Sequence, residues 1–361
     1  SGTSANDAAL IIYTSGTTGA PKGVVQSHGA IVKKAFDRAA WYRVSSEDRL
    51  LCSLPLYTQW GCNALLLSQL SHGVTVVLQE EFDAPEAMEL IARERCTIFS
   101  GTPTHFRMLM DLEPSRHSAN TRLRYANVSG DLISDEFYRE VMRFFPGSRI
   151  ISGYGMTEST GLITATLPMG PDAATFQTIG YPMPDVEVAV QDPQTNQEVA
   201  DGVEGEIVTR GYHLMKEYFR DPEKTEAAID PNRWLRTGDL GARQPDGSLV
   251  FCGRKKDMIR TGGFNVFAND IEDFLCRYPK IVEAAVVGLP DARLGEVVAA
   301  VVRIRRGESC GAEELREYCA KELSGYKVPR HFRVVTTPFP ISETGKVQKI
   351  ALKLLFEQSV S

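Results

Sequence analysis

The sequence has no apolar run long enough to cross a bilayer. Its longest runs, such as Val297 to Val302, fall far short of the roughly 18 apolar residues that a membrane-spanning helix needs. Basic charge is not in excess either: the net charge is -6 and the longest basic run is Arg254-Lys255-Lys256, which argues against nucleic acid as a partner. The seven cysteines include no Cys-x-x-Cys pair, and the first residues, SGTSAND, lack the basic and apolar segments of a leader peptide. We therefore expect a protein of the reducing cytoplasm.

The sequence does have enough apolar residues for two or three domains, at 43% hydrophobic and 24% charged over 361 residues. From residue 1 to 184, short apolar strands alternate with helical patterns, which predicts parallel βα units. From 185 to 255, short β runs broken by Asp-Gly turns predict a small β-barrel-like subdomain. From 256 to 361, the runs IVEAAVVGL and EVVAAVVRI predict two strands of a smaller α+β domain. The expected fold class is α/β.

One stretch, LIIYTSGTTGAPKGVV at 10 to 25, places small hydroxyl and glycine residues and a lysine between two apolar runs. Glycine and hydroxyl side chains disfavour the interior of helices and strands, so the stretch predicts a loop. Its N–H groups, hydroxyls and cation suit a polyphosphate. The loop is not a Walker A loop, because Pro21 and Gly23 stand where that motif needs Gly and Ser or Thr. A polar surface turn is the alternative, but such turns seldom carry so many hydroxyls and a lysine.

Six motifs occur in a fixed order along the chain. They are YTSGTTGAPKG at 13–23, YGMTE at 154–158, GEIVTRG at 205–211, TGDL at 237–240, GRKKDMIRTGGFNV at 253–266 and TGKVQK at 344–349. Together they resemble the adenylate-forming superfamily, which includes acyl-CoA synthetases, luciferase and the adenylation domains of peptide synthetases. Within the superfamily, the segment GRKKDMIRTGGFNVFANDIE at 253–272 is most similar in sequence to the acyl-CoA ligases. The resemblance implies a large N-terminal α/β domain, here truncated because relatives carry a further segment before the loop, and a mobile C-terminal domain.

The resemblance also implies a reaction and its cofactors, which are ATP, Mg²⁺ and coenzyme A. A carboxylate attacks the α-phosphorus of ATP, pyrophosphate leaves, and the thiol of CoA then takes the acyl group. Negative charge develops on phosphate oxygens, and positioned cations and amides stabilise it. The residues implied to hold the β- and γ-phosphates are Thr14, Ser15, Gly16, Thr17, Thr18, Gly19 and Lys22.

Two residues of the YGMTE motif are implied to act on the nucleotide. Thr157 bonds the α-phosphate, and Glu158 holds Mg²⁺, a hard cation that prefers carboxylate oxygen. Outside this motif, a lone glutamate would be read as a solvated surface residue.

The same resemblance implies how adenosine is bound. Tyr154 offers a flat face to adenine, and the other side is lined by Gly130, Asp131 and Leu132. Asp239 accepts hydrogen bonds from the ribose hydroxyls, with Arg254 as a second contact, although an Asp after Gly is most often only a turn residue. Ser152 stands where many relatives have Asn or Gln, which leaves the contact to the adenine amino group open.

The resemblance implies roles for three features of the C-terminal region in adenylation, domain rotation and CoA binding. Lys346 bridges the substrate carboxylate and the α-phosphate and so offsets the repulsion between two anions. Lys256 matches the hinge about which the C-terminal domain turns between the two half-reactions. Gly262 and Gly263 leave room for the pantetheine arm of CoA. The simpler alternatives are a solvated tail for Lys346 and an ordinary turn for the two glycines.

The sequence says least about which residues form the pocket for the acyl group. Relatives often have a histidine in the motif PLFHxxG, and Thr58 takes that position here, which removes an acid–base or gating side chain. Trp60, Thr102 and Met156 are further candidates for the pocket wall. The histidines lack the spacing of metal ligands and are expected to be structural.

Three functions stay open from the sequence. The first is an acyl-CoA synthetase that uses a small carboxylic acid and CoA. The second is an acyl-AMP ligase that loads a carrier protein. The third is a truncated nucleotide-binding module without turnover. Whichever function holds, a chain that lacks the preceding segment is expected to expose sheet edges, and so to associate with the missing N-terminal segment or form homo-oligomers.

Overall fold

The computed structural model describes residues 2–14, 21–112, 122–130, 135–171, 173, 178–255, 257–342 and 347–357. The chain divides into two units. The larger comprises Ser1–Asp131, Phe137–Thr237 and Gly241–Phe251, and the smaller comprises Leu132–Glu136, Gly238–Leu240 and Cys252–Ser361. The expected division into three domains, with boundaries after residues 184 and 255, stays a prediction.

A five-stranded parallel sheet forms the centre of the larger unit. Its strands in spatial order are β4 (Thr75–Leu78), β3 (Arg49–Cys52), β5 (Ile98–Gly101), β6 (Tyr125–Val128) and β7 (Arg149–Ile151). The helices that alternate with them are α3 (Ala84–Arg93), α4 (Pro103–Met110) and α5 (Asp135–Phe144). Every residue of β5 and β6 is buried, as expected for parallel strands covered on both faces. The predicted α/β class is confirmed.

An irregular helical segment joins β3 to β4. It consists of a π-helix, Trp60–Leu67, and the short α2, Ser68–Leu70. Gly61 is required at its start, because a Cβ there would lie 2.2 Å from the carbonyl oxygen of Pro55. π-Helices are rare and often occur at functional sites.

Two small sheets of the larger unit carry the first two motifs, YTSGTTGAPKG and YGMTE. The first has the order β1 (Ala8–Thr14), β2 (Lys22–Ser27) and β13 (Glu217–Tyr218), and β2 leads into α1 (His28–Trp41), which Ser27 caps. The second has the order β10 (Tyr181–Pro182), β9 (Gly161–Ala165) and β8 (Gly153–Met156). A one-turn 3-10 helix, Thr157–Ser159, joins β8 to β9.

A four-stranded sheet follows in the sequence. Its order is β11 (Val186–Gln191), β12 (Gly205–Gly211), β14 (Leu235–Arg243) and β15 (Leu249–Arg254), and β11 and β12 are antiparallel. The short α6 (Pro222–Ala228) lies between β13 and β14 in the chain. This sheet occupies the region where Asp-Gly turns predicted short β strands.

The smaller unit is built on a long antiparallel hairpin, β18 (Ile281–Asp291) and β19 (Gly295–Ile304). The sheet has the order β17 (Phe264–Val266), β16 (Ile259–Thr261), β19 and β18, and β20 (His331–Val335) pairs with β19 in parallel. Its helices are α7 (Ala268–Cys276), α8 (Ala312–Ala320) and α9 (Lys349–Glu357). The two strands predicted for this region are confirmed. In the described part of the chain, no helix is long and apolar enough to span a membrane.

Candidate active site

The predicted phosphate loop connects the antiparallel strands β1 and β2. Thr14 and Lys22 are direct partners across this strand pair. The two ends of the predicted phosphate loop are therefore adjacent. Ser15, Gly16, Thr17, Thr18 and Gly19 lie outside the described residues. The ammonium of Lys22 lies 4.8 Å from the centre of the Tyr218 ring, a cation–π contact.

The YGMTE motif forms a tight turn between β8 and β9. Ser159 fixes this turn, because its Oγ accepts from the backbone N–H of Met156 at 3.1 Å and donates to the carbonyl of Gly161 at 2.7 Å. Thr160 takes a left-handed conformation with φ +49°, an uncommon geometry for a β-branched residue. The strain of such a conformation has to be offset by the surrounding bonds. Thr157 and Glu158 are therefore on a rigid segment.

Glu158 is buried, with 8% of its surface exposed, and its carboxylate is held by the phenol of Tyr218. The Tyr218 hydroxyl donates to Glu158 Oε1 at 2.8 Å, and the backbone N–H of Met215 donates to the Glu158 carbonyl at 2.8 Å. Burial, with the nearby carboxylate, raises the pKa of Tyr218 far above its usual value. The phenol therefore stays protonated and acts as a donor.

Tyr218 was missed by the sequence analysis. It lies outside the six motifs, and only the pairing of β13 with β2, which sets Tyr218 opposite Val24, brings it to this place. The structure thus brings Lys22 and Glu158 to the same aromatic side chain.

A cluster of buried amides supports the turn from the other side. Gln26 Nε2 donates to the carbonyl of Thr157 at 2.9 Å, and its Oε1 accepts from Asn63 Nδ2 at 2.8 Å. Asn63 belongs to the π-helix and also donates to Gln59. β2 therefore carries Lys22 at one end and, near the other, the amide that holds Thr157. No motif or spacing in the sequence predicts this cluster of amides.

The adenine-side residues that can be described lie on adjoining segments. Gly130 follows β6 with φ +98°, a conformation that glycine adopts without strain, and Tyr154 lies in β8 with its ring 6.1 Å from that of Phe251. The two segments are joined because the N–H of Gly153 donates to Ser129 Oγ at 3.1 Å. Asp131 and Leu132 lie outside the described residues.

Ser152 precedes β8, and both its backbone N–H and its carbonyl form hydrogen bonds. Its N–H donates to Thr166 Oγ1, and its carbonyl accepts from the Tyr42 hydroxyl, both at 2.9 Å. Its side-chain oxygen lies 3.4 Å from that of Ser129.

The proposed ribose contact is in the smaller unit, where Asp239 and Arg254 come together. Asp239 is buried, and its Oδ1 lies 3.3 Å from Arg254 Nε. The N–H of Lys255 donates to the carbonyl of Gly238 at 2.9 Å, which fixes the two strands at this point. The ion pair orients the carboxylate. Lys256, the predicted hinge, lies outside the described residues.

Gly262 and Gly263 form the two-residue turn between β16 and β17. Their φ angles are +57° and +87°; a type I′ hairpin turn requires positive φ at both positions, and glycine adopts such angles without strain. The N–H of Gly262 donates to the carbonyl of Leu294 at 2.9 Å. A Cβ on Gly263 would meet no heavy atom within 4 Å, so the turn presents open space there. Lys346 lies outside the described residues.

The candidates for the acyl pocket have clear structural roles. Thr58 Oγ1 donates to the carbonyl of Pro55 at 2.7 Å and accepts from the N–H of Gly61 at 3.0 Å, at the start of the π-helix. Thr102 is the N-cap of α4 and forms a capping box with His105, whose pKa burial lowers to about 4. His105 is therefore neutral and structural, as expected.

Trp60 and Met156, the other two candidates, are half-buried and pack against separate apolar clusters of the larger unit. An acyl-binding role for all four candidates stays a prediction.

The described donor set fits Mg²⁺ in an ATP site. No group of three or more metal-ligating side chains occurs among the residues that the structure describes. Mg²⁺ commonly keeps several waters and takes one or two carboxylates together with substrate phosphates, so a single rigid carboxylate such as Glu158 is suitable. The ammonium of Lys22, at the same Tyr218 ring, stays a predicted contact for phosphate oxygen.

Family models match most of the chain. The AMP-binding enzyme model matches residues 1–219, and the model of the AMP-binding enzyme C-terminal domain matches residues 270–346. The chain belongs to the AMP-binding enzyme family. Membership agrees with the adenylate-forming superfamily that the six motifs predicted.

Curated relatives in the AMP-binding enzyme family are named as acyl-CoA ligases. The chain is 35% identical over 343 residues to the putative acyl-CoA synthetase YngI of Bacillus subtilis, which covers 94% of this chain and 62% of that protein. It is 34% identical over 351 residues to the mitochondrial medium-chain acyl-CoA ligase ACSF2 of Danio rerio, which covers 96% and 58%. The chain thus spans about three fifths of the length of these relatives.

Solved structures of the family share the fold. ATP-bound MatB from Rhodopseudomonas palustris superposes with a TM-score of 0.90 at 30% identity, over 99% of this chain and 70% of that one. The o-succinylbenzoate CoA synthetase MenE from Bacillus subtilis, in complex with its acyl-adenylate intermediate, gives 0.83 at 29% identity, over 97% and 70%.

Proposed function

We propose that the protein is an ATP-dependent ligase that joins a carboxylic acid to coenzyme A through an acyl-adenylate. Family membership and the names of the relatives support this proposal. One geometric observation carries it for this chain: Lys22 and Glu158, which belong to motifs far apart in the sequence, contact the same side chain, Tyr218.

An ammonium and a buried carboxylate beside one ring suit a metal–nucleotide complex. The ammonium of Lys22 attracts phosphate oxygens directly. The carboxylate of Glu158 repels them unless a cation lies between, because two anions at close range in a buried site raise the free energy strongly. Bound Mg²⁺ supplies the positive charge that offsets phosphate charge.

In the first step, an oxygen of the substrate carboxylate forms a bond to the α-phosphorus. The bond from that phosphorus to the bridging oxygen breaks, and pyrophosphate leaves with the electron pair. Lys22 binds the phosphates of the leaving group, Thr157 donates its hydroxyl to an α-phosphate oxygen, and Lys346 offsets the repulsion between carboxylate and phosphate. Ordered contacts of the turn keep Thr157 and Glu158 in place, so little reorganisation is needed during the reaction.

In the second step, the thiolate of CoA forms a bond to the acyl carbon and AMP leaves. The turn at Gly262 and Gly263 suits a close approach of the pantetheine arm, since no heavy atom lies within 4 Å of a Cβ placed on Gly263. The cytoplasmic location expected from the sequence stays a proposal.

The test is an assay of pyrophosphate release with a panel of carboxylic acids, with and without CoA, on the protein at its natural length. We expect release that depends on one class of acid, and thioester product when CoA is added. Release without thioester would favour transfer to a carrier-protein phosphopantetheine. ATP binding without release for any acid would contradict the ligase and favour a nucleotide-binding module.

A further inference from the structure

Tyr218 contacts the two groups that the proposed nucleotide site needs most. It is 5% exposed and lies in β13, opposite Val24 of β2, so it sits beside the strand that begins at Lys22. Its ring lies under the ammonium of Lys22, and its hydroxyl donates to Glu158. The ring of Tyr218 therefore contacts the ammonium of Lys22, and its hydroxyl contacts the carboxylate of Glu158.

The backbone around Tyr218 is held independently of its side chain. The N–H of Lys216 donates to the carbonyl of Val25 at 2.8 Å, and the N–H of Phe219 donates to the carbonyl of Gly23 at 2.7 Å. The N–H of Tyr218 itself donates to Thr225 Oγ1 at 2.9 Å. A change confined to the phenol oxygen should leave these bonds in place.

We propose that Tyr218 is a positioning residue that sets the metal-binding carboxylate and the phosphate-binding ammonium at a fixed separation, its hydroxyl orienting Glu158 and its ring orienting Lys22. The proposal rests on the proposed function, because it assumes an ATP and Mg²⁺ site at these residues. Among the described residues, no basic side chain forms an ion pair with Glu158, so the phenol is the group that fixes the carboxylate. Without the Tyr218 hydroxyl as donor, the Glu158 carboxylate can rotate, and its oxygens are no longer oriented for a metal ion.

The two functions of Tyr218 separate in two substitutions. Tyr218→Phe keeps the ring and removes the hydroxyl, so it should weaken the contribution of Mg²⁺ and leave direct phosphate binding unchanged. Tyr218→Leu removes both, so it should weaken both. Tyr212→Phe is the matched control, because Tyr212 lies just after β12, in the connection to β13, and its hydroxyl donates to Asp37 rather than to Glu158.

The experiment measures the Kd of ATP by isothermal titration calorimetry, once with excess MgCl2 and once with EDTA, on the protein at its natural length. For Tyr218→Phe we expect a Kd about tenfold higher with Mg²⁺, which corresponds to about 1.4 kcal/mol, and a Kd within about twofold of wild type with EDTA. For Tyr212→Phe we expect no change in either. Thermal melting shows whether each variant is folded.

A double-mutant cycle with Glu158→Gln separates positioning from general stability. If the hydroxyl acts through Glu158, Tyr218→Phe adds nothing to the Mg²⁺-dependent Kd in the Glu158→Gln background. Additive effects, equal weakening with and without Mg²⁺, an unchanged Kd in Tyr218→Phe, or an effect that only follows a loss of folding would each overturn the positioning role. Wild-type protein that binds no ATP under either condition would instead overturn the proposed function, and this inference with it.

Discussion

Lys34 in α1 is a buried cation whose replacement should stabilise the protein. It is 4% exposed, and its Nζ has no hydrogen-bond partner among the described residues. The charged groups near it are Asp37, whose charge favours the ammonium, and Lys33, whose charge opposes it, while the Tyr212 ring lies 4.9 Å from the Nζ. Burial dominates and lowers the pKa of Lys34 from 10.5 to about 7. The folded state therefore disfavours the ammonium.

The size of the effect follows from the two pKa values, 10.5 in the unfolded chain and about 7 in the folded one. At about 1.4 kcal/mol per pH unit, burying the ammonium costs at most about 5 kcal/mol below pH 7. Between pH 7 and 10.5 the unfolded chain binds more protons than the folded one, so the free energy of unfolding of the wild type rises with pH in this window. The cost is thus full below pH 7, falls to about a third at pH 9.5, and disappears above pH 10.5.

We therefore expect Lys34→Met to raise the free energy of unfolding by about 3 kcal/mol at pH 6, a typical gain for replacing a buried charge by an apolar side chain. For a unit of this size that is roughly 6–12 °C in Tm, measured by differential scanning calorimetry. The gain should shrink to about a third at pH 9.5.

Lys33→Met is the matched control, because the neighbouring Lys33 is more exposed and forms ion pairs with Asp37 and Asp185. Removing it should lower stability by less than about 1 kcal/mol at either pH. A lower Tm for Lys34→Met at pH 6, or the same gain at pH 6 and pH 9.5, would refute the reasoning.

Four further substitutions test the site and its support. Glu158→Gln should raise the Mg²⁺ concentration for half-maximal pyrophosphate release at least about tenfold, because an amide binds Mg²⁺ more weakly than a carboxylate; an unchanged Mg²⁺ titration would remove Glu158 as the ligand. Lys346→Ala should slow acyl-adenylate formation by about 100-fold or more while sparing thioester formation from supplied acyl-adenylate, and Gly263→Trp should do the opposite in single-turnover assays. Equal losses in both half-reactions for both variants would contradict the assignment of separate roles. Thr102→Ala should lower stability by about 1 kcal/mol in thermal melts because it removes the N-cap of α4, whereas Thr104→Ala, inside the same helix, should cost less; equal losses would argue against the cap.

Patterns that repeat along the chain predicted the fold well. Alternating strands and helices before residue 184 predicted the parallel sheet, because each βα unit buries an apolar strand under a helix of its own sequence neighbourhood. The apolar runs IVEAAVVGL and EVVAAVVRI predicted β18 and β19. These patterns involve residues close together in the chain, so a single sequence is enough to predict the strands and helices.

The parts of the site that were missed depend on contacts between distant residues. Tyr218 reaches Glu158 through the pairing of β13 with β2. Gln26 reaches Thr157, 131 residues later in the chain, through a single hydrogen bond from its side chain. Nothing in the sequence around Tyr218 or Gln26 marks either residue as part of a site. The π-helix at Trp60 was missed because its apolar run also suits an α-helix.

A crystal structure of the protein with ATP and Mg²⁺ gives the sharpest test of how the nucleotide is held. We expect the β- and γ-phosphates within hydrogen-bond distance of the Lys22 ammonium, and Mg²⁺ bound to the Glu158 carboxylate. A triphosphate bound away from Lys22, or Mg²⁺ held without Glu158, would contradict it.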